Sequence, residues 1–175
     1  LIDPARAGGR HNSRREIGGT AVIILLLALL IGLVAGLRAF TAPAAISWAA
    51  HLGWLPLGGT PLAFMGYAWT PWILTALALV EFVTDQLPTT PSRTVPMQFG
   101  ARIIMAALSG AAIGTPSGWL IIAGIAGIVG AVIGTLGGHA ARAGLAAAFR
   151  RDAPAAFIED AGAILAGIII VMLIR

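Results

Sequence analysis

The sequence contains no cysteine and no lysine, and only 10% of its residues are charged. Without cysteine there is no disulfide framework, no thiolate nucleophile and no sulfur ligand for a metal. With charge so scarce, an ordinary soluble domain is excluded, because such domains carry about a quarter charged residues. Strand-like alternation is also missing, which leaves helices as the only spanning element. H-E-x-x-H, G-x-S-x-G and phosphate-loop patterns do not occur, so hydrolase and nucleotide-driven chemistry lacks support. Ser109, beside Gly110 in an apolar run, reads as helix packing rather than a nucleophile. The chain is therefore expected not to be an enzyme and to need no cofactor, and its metal use is left unassigned.

What is present is apolar. Hydrophobic residues make up 58% of the 175, and the mean hydropathy is +0.93. A hydrocarbon core of about 30 Å takes about 20 helical residues, and several runs are long enough. The expectation is an all-α, polytopic transmembrane bundle of about five spans, with two short amphipathic or re-entrant helices. Residues 1–16 form a polar tail, expected to be disordered and cytoplasmic, and 17–175 a single integral membrane domain. The spans are expected at 17–37, from 62 or 71 to before Pro88, at 97–115, at 118–138 and at 155–174. Segments 38–55 and 139–151 are the two short helices. Placing the N-terminus inside collects most arginines on the cytoplasmic face and leaves Arg38 and Arg175 outside. The basic pI of 11.4 is thus explained by topology, with no nucleic acid implied. A weak echo between the segments following the first and fourth spans suggests an inverted repeat.

Few charges interrupt the spans. Glu81 and Asp85 are one helical turn apart and share a face. If the second span starts at Pro71, Glu81 lies about 15 Å along the axis, near mid-membrane. Acids there usually face a partner, water or the bundle interior, and here they would titrate as a coupled group. Glu81, Asp85 and Glu159 are the candidate proton- or cation-binding acids. Arg102, just across the loop, is their expected partner, or else snorkels to the headgroups. Of Glu159 and Asp160, which point about 100° apart, Glu159 is expected to face the bundle, while Asp160 could reach the interface. Asp160, His139 and Arg142 are, with Arg102, the candidate network partners. Gly130, Gly134 and Gly138, spaced by four, line one face with bare backbone, a packing seam through which a second copy of the chain could dock.

The segments "GLRAFTAPAA" (36–45), "VEFVTDQLP" (80–88), "GARIIMAALSGAAIG" (100–114) and "HAARAGLAAAF" (139–149) together resemble a family of small bacterial integral membrane proteins known only as a domain of unknown function. The resemblance covers about 36 to 165. The family pattern includes a G-L-R-x-F opening and E-x-x-x-D-x-x-P, matched here by Gly36, Leu37, Arg38, Phe40, Glu81, Asp85 and Pro88. It departs at Gln86, where a basic residue often follows the Asp, and at Pro91-Ser92, where an acid often follows the Pro. The resemblance implies a multi-pass protein of a bacterial inner membrane and no established activity. From the acids comes the leading expectation, a transporter or channel for a small ion or solute. The alternatives are a non-transporting scaffold or assembly partner and, more weakly, a lipid-handling protein.

Overall fold

The computed structural model describes residues 4–85, 95–149 and 152–175, all helix, turn or short connection. Six α-helices follow one another: α1 Pro4–Leu37, α2 Thr41–His51, α3 Thr70–Thr84, α4 Pro96–Gly114, α5 Leu120–Phe149 and α6 Asp152–Ile174. Single 3-10 turns at Ala63–Gly66 and Thr115–Ser117 complete the described elements. Four stretches are long and apolar enough to cross a membrane: Gly18–Leu37, Pro96–Ser117, Leu120–Phe149 and Pro154–Ile174. The chain is a helical, multi-pass membrane protein.

The packing follows from small residues. In lipid, helices gain little from burying apolar side chains and associate where bare backbone permits close approach. Gly32 of α1 lies against Gly127 of α5, and Gly36 against Ala131, Gly134 and Thr135, so the two helices rise in parallel. On the other side of α5, Trp119, Ala123 and Gly127 meet Gly114, Gly110 and Ala106 of α4 in reverse order, which makes that pair antiparallel. Ala28, Ile31, Val34 and Ala35 of α1 are fully buried in the middle of the bundle.

The glycine seam is thus occupied within the chain. Gly130 and Gly134 face Leu29 and Leu33 of α1, and Gly138 is buried. The expected docking of a second copy through this face is corrected, because α1 already fills it.

The expected second span also changes. α3 starts at Thr70 with Pro71 in its first turn, where a missing N–H costs nothing. Its 15 residues reach only about 22 Å. It pairs with α2, of 11 residues, and the two run antiparallel: Ala39 and Phe40 meet Glu81, while Trp48 Nε1 donates to Thr75 Oγ1 at 3.0 Å. α2 in turn parallels α6, since Arg38 meets Asp160, Thr41 and Ala45 adjoin Gly167, and the Arg175 guanidinium lies 5.1 Å over the Trp54 ring. Four long apolar helices and a pair of shorter ones, α2 and α3, therefore stand where five spans were expected. Segment 139–151 is not a separate amphipathic helix, because α5 continues through to Phe149. The backbone of the expected tail is helical from Pro4 and continuous with the first span.

These directions change the parity. The start of the apolar stretch at Gly18 and the C-terminal Arg175 share one end of the bundle, and Arg142 lies at the other. The arginine tally that placed the N-terminal segment and Arg142 on one face does not hold. An inverted relation between α1 and α5 fails for the same reason, since the two are parallel. Because the chain is free of cysteine, single thiols report the topology directly. Ser117→Cys and Arg175→Cys are expected to label from the same side of sealed vesicles and Gly144→Cys from the opposite side. Labelling of residues 117 and 175 from different sides would rule out this arrangement.

Candidate functional site

Near the end of the bundle to which α1 rises, three helix termini meet. α1 stops because Pro43 cannot continue it: in an unbroken helix its ring would clash with the carbonyl of residue 39. The break exposes orphan carbonyls at the end of α1 and orphan N–H groups at the start of α2. In a membrane these groups find no water, and leaving one unpaired costs several kcal/mol.

Charged side chains from other helices supply the partners. Arg102 Nη1 donates to the carbonyls of Gly36 at 3.1 Å and Leu37 at 2.6 Å. Thr135 Oγ1 donates to Gly36 as well, at 3.1 Å. Both carboxylate oxygens of Glu81 accept backbone N–H groups, Oε1 from Ala39 at 2.7 Å and Oε2 from Phe40 at 2.9 Å. A cation therefore sits at a helix C-terminus and an anion at a helix N-terminus, the polarity that the helix dipole favours at each. Arg38, inside the break, donates from Nη1 to the carbonyl of Glu81 at 3.2 Å, near the C-terminus of α3.

The same side chains pair with one another. Arg38 Nη1 is 3.1 Å from Asp85 Oδ2, and its Nε donates to Asp160 Oδ1 at 2.6 Å, with Nη2 directed to the same oxygen. Arg102 Nη2 lies 3.7 Å from Glu81 and 3.6 Å from Asp85. The Phe82 ring centroid is 5.4 Å from the Arg38 guanidinium carbon, within cation–π range. Arg38, Arg102 and Asp160 are exposed by 4%, 1% and 2%, so the cluster is desolvated and its stability rests on complete pairing.

Glu81, Asp85 and Arg102 thus come together, and burial shows that Arg102 is not snorkelling. Three expectations change. Arg38, assigned to an external loop, is the hub. Asp160, expected as a network partner that could also reach the interface, belongs to the cluster, whereas Glu159, the acid expected to face it, turns to Arg142 at 3.9 Å. The signal was present in α6, where Ala156, Asp160, Ala163, Gly167 and Ile170 form one stripe of helical spacing. Glu81 lies one turn before the end of α3, at the level where α1 ends, and so beneath one face of the bundle rather than at its centre. His139 is exposed, and its side chain makes no hydrogen bond or ion pair among the described residues. Thr135 was missed, since a threonine in a glycine-rich helix carries no distinguishing pattern. Pro88 falls outside the described residues. Among those described, no group of three or more His, Asp or Glu is placed to hold a metal ion.

A cavity of about 220 Å³ adjoins the cluster, between α2, α3 and α6. Arg38, Asp160, Thr41 and Thr75 are its polar lining residues, and the remaining wall is apolar.

The fold and this cluster define a class: a multi-pass helical membrane protein whose broken first hairpin is held by buried ion pairs. The chain belongs to the family described as Domain of unknown function (DUF4126), whose family model matches residues 25–173. The comparisons with curated proteins and with solved structures each give no match. The G-L-R-x-F and E-x-x-x-D segments that carried the resemblance are those that meet at the break.

Proposed function

We propose that the chain moves a small ion or solute across the membrane, with the Arg38, Glu81, Asp85, Arg102 and Asp160 cluster as the element that changes state. The observation that carries this reading is the reversal at 38–40 between α1 and α2, whose open helix termini are held by ionic side chains from other helices. Non-helical backbone at membrane depth is tolerated where it is buried in protein or lines a cavity, and in transporters open helix termini hold substrates and coupling ions. Here Glu81 occupies the position that an anionic substrate group would take, so its protonation or displacement would release the start of α2.

Proteoliposomes loaded with a pH-sensitive dye and clamped by a potassium diffusion potential test this. Wild-type protein is expected to pass protons faster than empty liposomes, and Glu81→Gln to slow that flux at least tenfold, a loss of about 1.4 kcal/mol or more. Wild-type flux equal to that of empty liposomes would reject proton movement. It would favour a second reading supported by the pairing of every acid in the cluster, a static staple in a membrane scaffold.

A further inference from the structure

The cavity beside the cluster is open toward lipid. Few contacts join α3 to α6, the Phe82 and Phe157 rings being 6.2 Å apart at one end of the gap. Leu79 and Ile164, on its two rims, are 63% and 47% exposed, so an occupant would enter sideways from the bilayer. Its volume of about 220 Å³ lies below the roughly 300–1,000 Å³ of sites for drug-sized ligands. The occupant is therefore small, and the apolar wall requires that most of it be hydrocarbon.

The polar end decides the head group. An anion reaching Arg38 would meet the desolvated Asp160 carboxylate beside it, and a cation reaching Asp160 would meet Arg38. Either must shed its own hydration and disturb an existing buried pair, which is strongly unfavourable. A neutral head pays neither cost. Two hydroxyl-bearing residues line the cavity: Thr41, and Thr75, whose Oγ1 accepts from Trp48 Nε1 at 3.0 Å and keeps its O–H to donate. We propose that the cavity between α2, α3 and α6 is a binding site for a small uncharged amphiphile from the bilayer, such as an alcohol or primary amide on a short hydrocarbon tail. Binding does not require transport, so an absence of flux leaves this inference standing.

The full chain in lipid nanodiscs, irradiated with the photoreactive alcohol 3-azioctanol and mapped by mass spectrometry, tests the site. Adducts are expected within 75–82 and 160–164, saturating with probe concentration. 1-Octanol should displace them at concentrations at least tenfold lower than octanoate or octylammonium of the same chain length. Ala78→Phe, which fills the cavity, should remove these adducts and leave those elsewhere. Ile164→Trp, on the outer rim, should do the same without disturbing the α2–α3 pair, so that a folding failure of the first variant does not decide the matter. Adducts that fail to saturate, or that persist unchanged in the variant that folds, would mean bulk partition and overturn the proposal. Displacement led by octanoate would equally overturn it, because the site would then select an anion through Arg38.

Discussion

Arg38→Met should destabilise the bundle by about 3–5 kcal/mol, the range for removing one partner of a buried ion pair. Three acceptors lose an Arg38 N–H at once: the Asp160 carboxylate, the Asp85 carboxylate and the carbonyl of Glu81, which keeps the Asp85 amide and the Thr84 hydroxyl. Asp85 retains Arg102 nearby, but Asp160, 2% exposed, is left without the guanidinium that it faces. Methionine fills much of the space, so the loss is mainly electrostatic. The double variant Arg38→Met with Asp160→Leu should recover part of it, since replacing a buried pair by apolar groups is often neutral or stabilising. Unfolding in mixed detergent and dodecyl sulfate micelles reads both values. A loss below about 1 kcal/mol, the range of solvated surface pairs, would show that water reaches the cluster and that the helix break does not depend on it.

Gly130→Ala should be comparably damaging although it adds one methyl group. A Cβ at this position would overlap the carbonyl oxygen of Leu29 and stand 2.8 Å from the amide nitrogen of Leu33. Both are backbone atoms of α1, so no rotamer change relieves the contact and the helices must separate. Overpacking of this kind costs about 1–3 kcal/mol and occasionally more. The upper end is expected because the α1–α5 contact carries the middle of the bundle. Gly137→Ala, with nothing within 4 Å of its added Cβ, is the control and should be close to neutral or slightly stabilising, as helix propensity favours Ala over Gly. Since the seam is internal, Gly130→Ala should lower the unfolding midpoint without changing the mass of the detergent-solubilised particle. A change in oligomeric state at unchanged stability would place the seam between copies instead.

Membrane residence, helical class and the four long spans were legible in composition and hydropathy alone, because lipid leaves the backbone few alternatives to a helix. The close approach of helices at Gly130 and Gly134 was legible too, as a missing Cβ has the same meaning whichever partner fills the space. The identity of that partner was not, since periodicity marks a face without naming its neighbour. The same limit explains Arg38 and Asp160. In sequence Arg38 is an arginine following an apolar span, and charge counting assigns such residues to loops. Asp160 sits next to another acid, and spacing alone favoured the wrong one. The tertiary structure decided that α2 turns back beside α6. That single reversal changes the parity of the chain, makes α1 and α5 parallel, and brings residues 38, 81, 85, 102 and 160 to one point. Burial in lipid then accounts for the pairing: without water to solvate charges or open helix ends, each must find its complement in another part of the chain.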